Sequence, residues 1–247
     1  MNISNQPPEF GPLDGVLLVD KPAGITSHDV VHKIRRNFKI KKVGHGGTLD
    51  PNATGLLVIL LGKGTKLSNS VMSGDKTYQG TILLGVETDS QDCDGEVVAE
   101  KDPTGVTEEQ IKKEIKTFIG DFYQTPPMVS AIKINGEALY KAARRGEVVE
   151  RKERFVHVYS FNINDFTMPY LDATIKCTKG TYIRTIVHDL GQKLGCGANL
   201  AELRRLASGC FTLDNAVTLD EILAMTQTQL AEKVISVPQV AILKGSC

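Results

Sequence analysis

No stretch of the chain approaches the roughly 20 consecutive apolar residues that cross a bilayer, and the polar opening Met1 to Phe10 lacks the apolar centre of a signal peptide. These absences argue against a membrane or secreted protein. Cysteine is sparse: Cys93, Cys177, Cys196, Cys210 and Cys247 are five, scattered, with no C-x-x-C pair. An odd, dispersed set speaks against a disulfide framework and a zinc ribbon, and points to the cytoplasm. Net charge is missing as well, because Lys+Arg 29 balance Asp+Glu 29. A protein that grips nucleic acid by bulk charge is therefore not expected.

Cofactor signatures are also lacking. Gly62-Lys63-Gly64-Thr65 is no phosphate loop, since the position five before Gly62 is Leu57, and the glycines do not fit the dinucleotide fingerprint. His28-Asp29-Val30-Val31-His32 nearly matches a zinc-protease pattern, but Asp is a carbon shorter than the required Glu and no third ligand suggests itself. Residues 88–96 imitate a calcium loop, yet its first ligand would be Ser90 and its twelfth Lys101. No metal and no nucleotide cofactor is expected.

What is present is organised around Val43-Gly44-His45-Gly46-Gly47-Thr48-Leu49-Asp50-Pro51-Asn52-Ala53-Thr54-Gly55. The glycines permit positive φ or close approach, and Pro51 biases Asp50 away from helical dihedrals. The apolar run 56–61 that follows reads as a strand buried on both faces. A carboxylate on a glycine loop beside a rigid strand suits catalysis; a turn in which Asp50 caps backbone N–H groups is the plainer alternative.

At 247 residues, 41% hydrophobic and 23% charged, the chain can bury one large core or two modest ones. A strand is expected at 15–19, then a turn whose Lys21 reads as a solvated lysine or a phosphate contact. Thr26 and Asp29 resemble a capping box opening a helix with Val30, Val31, Ile34 and Phe38 on one face. In a strand at 77–84, Tyr78 shares a face with Gly80, whose missing side chain would leave space beside the ring for a stacked base; a core tyrosine is the alternative. Residues 88–96 read as an acidic hairpin turn, and Thr107 caps a helix carrying Ile111, Ile115, Phe118 and Ile119. Residues 124–131 are irregular and 137–145 read as a short basic helix stopped by Gly146, the kind of excursion that clamps a partner. Strands at 155–161 and 170–177 lead to a helix with Ile183, Ile186, Val187, Leu190 and Leu194 inward. Arg184, in its first turn, opposes the helix dipole; pairing with a carboxylate would explain it, and a surface arginine is the alternative.

Taken in order, Lys21-Pro22 with Gly24 and Ser27, Gly44-His45-Gly46-Gly47-Thr48-Leu49-Asp50-Pro51 with Ala53-Thr54-Gly55, Lys76-Thr77-Tyr78, Lys179-Gly180-Thr181-Tyr182-Ile183-Arg184 and Leu203-Arg204-Arg205-Leu206 closely resemble the TruB family of tRNA pseudouridine synthases. The resemblance covers about 15–212. It implies an α+β pseudouridine synthase catalytic fold, with a mixed, mostly antiparallel central sheet flanked by helices and a thumb-like inserted loop at 121–152. A leader at 1–14 precedes it, and 213–247 is expected as a short helical tail, with helices near 219–225 and 228–233. Those roughly 35 residues are too few for the C-terminal RNA-binding (PUA) domain of many bacterial relatives, given domains of about 50 residues or more.

The resemblance also implies the chemistry. Such enzymes flip out one T-loop uridine of tRNA (position 55, in the TΨC arm), break its glycosidic bond and reattach the uracil through C5, without cofactor or metal. The implied partner is the T-arm stem-loop of tRNA, and the implied state a monomer. Asp50 matches the catalytic aspartate, nucleophile or base. Tyr78 matches the tyrosine that stacks on the target base, Arg184 the arginine that pairs with the aspartate, Leu203 an apolar wall, and His45 the histidine that fills the space of the flipped nucleotide. Tyr182 and Lys21 fall in matching motifs as substrate-binding residues. The basic segments holding Lys33, Arg36, Lys39, Lys41 and Lys42, and further on Arg144 and Arg145, would hold the RNA backbone. A tRNA-binding or folding protein without catalysis is the alternative, against which intact Asp50, Tyr78 and Arg184 speak.

Overall fold

The computed structural model describes residues 10–130, 132–134, 136–139, 142, 145–147 and 149–245. They divide into two units: one runs to Gly74 and resumes at Arg205, the other is Asp75–Arg204.

In the first unit the apolar run forms strand Thr54–Leu61, with no residue of 56–61 more than 1% exposed. Gly15–Lys21 pairs with it antiparallel, Leu17 opposite Ile59, and so does Val43–His45, His45 opposite Ile59. Each such side chain contributes about 1.5–3 kcal/mol on burial, so this strand is a firm support for the glycine loop beside it. Helix Ser27–Phe38 begins at the expected capping box, Asp29 N–H donating to Thr26 Oγ1 at 3.0 Å, and buries Val30, Val31, Ile34 and Phe38. Asp29 thereby serves the cap rather than the neighbouring His28 and His32. Asp14, placed by sequence in a loose leader, instead accepts the Lys63 N–H at 2.7 Å.

The C-terminal segment is helical, with two short strands that its sequence did not announce. The expected helices appear as Leu219–Ala224 and Gln227–Lys233, joined by Val237–Gly245. Before the first of them Val217–Thr218 pairs parallel, and before the last Ile235–Ser236 pairs antiparallel, with Gly15–Lys21. Two-residue strands carry no periodicity to read. Gly15 lets the second one approach: a Cβ there would stand 2.1 Å from Ile235 O.

In the second unit, Lys76–Leu84, Tyr170–Cys177, Arg154–Thr167 and Gly120–Gln124 follow one another side by side, every pairing antiparallel. Ile82, Ile175, Ala173 and Val158 lie in one buried cluster with Ile111 and Ile115 of helix Glu108–Lys116 and with Ile186, Val187 and Leu190 of helix Ile183–Leu194. The fold is α+β, with mostly antiparallel strands flanked by helices. Arg154–Thr167 runs well past the expected 161, because Ile163 and Phe166 stay packed against the core, opposite Ala173 and Leu171. Core packing overrides the poor strand propensity of Asn162, Asn164 and Asp165.

The acidic turn is flanked by the paired strands Val86–Thr88 and Val97–Glu100. The basic helix expected at 137–145 is corrected at its start, where Glu137–Ala138 pairs with Lys133–Ile134. Asn135-Gly136 is a strong hairpin signal, and Gly136 takes φ +85 as a left-handed turn requires. Tyr140, Lys141, Ala143 and Arg144 lie outside the described residues.

Candidate functional site

The Asp50 loop is assembled from the bottom of the first unit. Gly46 sits between strand Thr54–Leu61 and helix Ser68–Met72, where a Cβ would fall 2.4 Å from Val71 Cγ1 and 3.4 Å from Val58 Cβ, and Gly47 takes φ +131. Three buried polar side chains then fasten the loop. Ser27 Oγ accepts the Leu49 N–H at 2.8 Å and donates to Leu49 O at 3.1 Å. Arg205, 2% exposed, donates from Nε to Leu56 O at 2.7 Å, from Nη1 to Thr48 O at 3.3 Å and from Nη2 to Gly47 O at 3.2 Å. Lys21 is the third. Sequence reasoning took it for a solvated turn lysine or a phosphate contact, but it is 0% exposed, with Nζ donating to Pro22 O at 2.7 Å and Pro51 O at 2.8 Å. Burial lowers its pKa to about 8, while the charges of Asp50 and Asp29 push the other way. The Gly24 N–H adds a bond to Pro51 O at 3.1 Å, and Ala53 N–H closes a turn on Asp50 O at 3.2 Å.

His45 stands at the entry to this loop, half-buried. Burial holds its imidazole pKa below the ordinary value, and the charges of Arg205 and His28 add to that, so the ring is neutral at pH 7. Its Nδ1 is buried without a hydrogen-bond partner among the described residues.

In the second unit, Arg184 is no surface arginine. It is 4% exposed, and its Nη1 pairs with Asp92 Oδ2 at 3.0 Å and donates to Ser90 O at 3.2 Å, while Nη2 donates to Val129 O at 2.9 Å. Asp92 is itself oriented, accepting from Ser90 Oγ and from the Asp94 N–H at 3.1 Å. The acidic turn therefore serves as a socket for a guanidinium, which its sequence did not disclose. Tyr182, two residues before Arg184, is the N-cap of helix Ile183–Leu194, with its peptide held by Gln124. Tyr78, opposite Ile175, and Leu203 both pack against the same core cluster. The space expected above Gly80 is taken: a Cβ there would lie 3.1 Å from Leu200 Cδ1 and 3.8 Å from Leu203 Cδ1.

Of the expected basic contacts, Lys33, Arg36, Lys39, Lys41 and Lys42 are exposed, on or just beyond helix Ser27–Phe38. His32, Arg35, Arg36, Lys39, Ile40 and Lys41 line one concavity, where cations converge without a carboxylate among them. Arg145 is different: it is forked between Glu137, at 2.7 Å, and Glu147, at 2.8 Å, so its charge is already shared with two carboxylates.

The model of the TruB family pseudouridylate synthase N-terminal domain matches residues 35–183, and that of the tRNA pseudouridylate synthase B C-terminal domain matches 184–239. The tRNA pseudouridine synthase B of Opitutus terrae is 54% identical over 229 residues, covering 93% of this chain and 95% of that relative. The protein of the same name from Geobacter sulfurreducens is 43% identical over 225 residues, 91% of this chain and 74% of the relative. Among solved structures, that of a Cbf5-Nop10-Gar1 complex aligns with a TM-score of 0.71 at 27% identity, over 94% of this chain and 66% of the other.

Proposed function

Since the chain belongs to the TruB family of pseudouridylate synthases, we propose the following assignment of its residues to the isomerisation of a tRNA uridine to pseudouridine, which is the reaction of this enzyme. In that reaction the bond from ribose C1′ to N1 breaks and one from C1′ to C5 forms. The C5 proton leaves and N1 acquires one, so substrate and product hold the same atoms at the same oxidation level. Positioning, charge and proton transfer are what the protein must supply.

Asp50 is the reacting carboxylate, acting at C1′ as nucleophile or as the base that starts cleavage. Tyr78 stacks on the extruded uracil, offsetting part of the lost base stacking. Leu203 walls the pocket, Tyr182 contacts the base, and Arg184 is the cation of the site. His45, neutral, replaces the flipped nucleotide in the loop. Lys21 acts from below, holding the Asp50-Pro51 turn. The substrate is the T-arm stem-loop, modified at position 55, in the cytoplasm and by a monomer. Lys33, Arg36, Lys39, Lys41 and Lys42, together with the inserted segment 121–152, hold its backbone, an RNA loop being read largely by shape and splayed bases.

The observation that carries this reading is the fastening of the Asp50 loop by Lys21, Ser27 and Arg205. Burying an ammonium and a guanidinium is costly, and a plain surface turn does not call for it. The test is site-specific pseudouridine mapping on unmodified tRNA transcript with wild type and Asp50→Asn in parallel. Conversion of a single T-loop uridine by wild type alone is expected. Binding without conversion by both proteins would overturn the assignment in favour of an RNA-folding role.

A further inference from the structure

Helix Ile183–Leu194 starts without a side-chain cap at its own N-cap, Tyr182. The Tyr182 peptide is instead gripped from 58 positions away by one carboxamide. Tyr182 N–H donates to Gln124 Oε1 at 2.8 Å, and Gln124 Nε2 donates to Tyr182 O at 3.1 Å. Gln124 is 3% exposed and ends strand Gly120–Gln124, so its side chain serves as a single rung of strand pairing where the backbone ladder stops. The residues that follow act on the same place. Val129 O accepts from Arg184 Nη2 at 2.9 Å, and Pro126 O accepts from Arg151 Nη1 at 2.9 Å, tying residues 124–129 down at the far end of the insertion.

The geometry points to Gln124 as a positioning residue for the isomerisation: its amide fixes the Tyr182 peptide, and through the first helical turn the stance of the Tyr182 ring and the Arg184 guanidinium. An amide is required because the peptide presents one donor and one acceptor, and only a side chain that accepts and donates at once matches both. Methionine offers no donor and only a weak sulfur acceptor. An ionised glutamate accepts from Tyr182 N–H but meets Tyr182 O with negative charge. A protonated glutamate restores both bonds with the shape of glutamine. The charged groups near Gln124 among the described residues include Arg154, its partner on the neighbouring strand, Arg184 and Arg151, held by residues 126–129, and Asp92, bound to Arg184.

Because Tyr182 and Arg184 enter as site residues under the function proposed above, the experiment includes wild type at every step. Single-turnover pseudouridine formation and tRNA dissociation constants are measured for the full chain, for Gln124→Met and for Gln124→Glu, from pH 5.5 to 8. Gln124→Met is expected to lose about thirtyfold in rate at all pH values with tRNA affinity within about twofold of wild type, since a small misplacement near the chemistry costs rate before binding. Gln124→Glu is expected to be similarly slow at pH 8 and to recover toward wild type, as a ratio, when the pH is lowered and the introduced carboxyl takes its proton. A purely structural glutamine would weaken affinity and rate together and show a flat ratio across pH. That result, or a wild-type rate in Gln124→Met, overturns the role assigned to Gln124. If wild type itself binds the transcript and converts nothing, the functional reading falls and this role falls with it.

Discussion

Removing the carboxylate of Asp92 separates a site role of Arg184 from a structural one. The pair is close, 3.0 Å, and nearly dry, with the two side chains 5% and 15% exposed. Deleting one partner of a buried pair costs about 3–5 kcal/mol when the remaining charge is stranded. Here the guanidinium keeps Ser90 O and Val129 O, so Asp92→Ala is expected to cost about 2–3 kcal/mol. If Arg184 works in the transition state, that cost appears as a loss of about 30- to 150-fold in the single-turnover rate. Asp92→Asn keeps an acceptor and loses only the charge, and a loss of about fivefold is expected. If Arg184 only holds the fold together, the same energy appears as a fall in melting temperature of about 4–12 °C, with the rate below that temperature unchanged. The assay is rapid-quench pseudouridine formation with enzyme in excess, alongside calorimetric melting. A melting temperature lowered by that much with a rate within twofold of wild type would refute the reasoning.

Three further outcomes follow from the first unit. Arg205→Met leaves the carbonyls of Gly47, Thr48 and Leu56 without this donor, for an expected loss of about 2–4 kcal/mol in denaturant unfolding; it also removes one cause of the lowered His45 pKa, so the imidazole should titrate higher by NMR. Gly46→Ala places a Cβ 2.4 Å from Val71 Cγ1 and should cost about 1–3 kcal/mol, whereas Gly44→Ala, with nothing within 4 Å, should melt as wild type does; equal melting of the two would contradict the packing. Lys21 has a folded pKa of about 8, below the unfolded value, so the unfolded chain binds more protons between about pH 8 and 10.5. The cost of its burial is therefore present in full below about pH 8 and is relieved as the pH rises. Relative to Lys21→Met, wild type should gain up to about 3 kcal/mol over that window, measured by urea unfolding; a difference that stays constant with pH would count against the buried ammonium.

The Asp50 loop was legible because its signals are local: glycines at set positions, a proline after the aspartate and six apolar residues next door. Its fastenings were not. Lys21 reads as a solvated turn residue until Pro51, 30 positions later, folds over it, and Arg205 sits in an Arg-Arg pair whose carbonyl partners lie about 150 positions away. Arg184 stands out in the sequence as a cation needing a reason, and one acid that supplies it, Asp92, lies in a stretch that reads only as an acidic hairpin turn. Long-range pairing of polar groups leaves no periodicity in a sequence. The start of the inserted segment differs for another reason: Asn135-Gly136 favours a hairpin turn, and Glu137–Ala138 pairs with Lys133–Ile134 rather than opening a helix.

Strand Gly15–Lys21 leaves the ribosome well ahead of two of its neighbours, Val217–Thr218 and Ile235–Ser236. At about 5–20 residues per second, the nearly 200 residues between them take the ribosome on the order of 10–40 seconds. For that interval the apolar strand waits with one edge bare, while Asp75–Arg204 forms an uninterrupted unit of the chain. An open edge of this composition invites pairing with other nascent chains. Slowing translation shortly before Val217 is therefore expected to lower the soluble yield more than slowing it before Gly15.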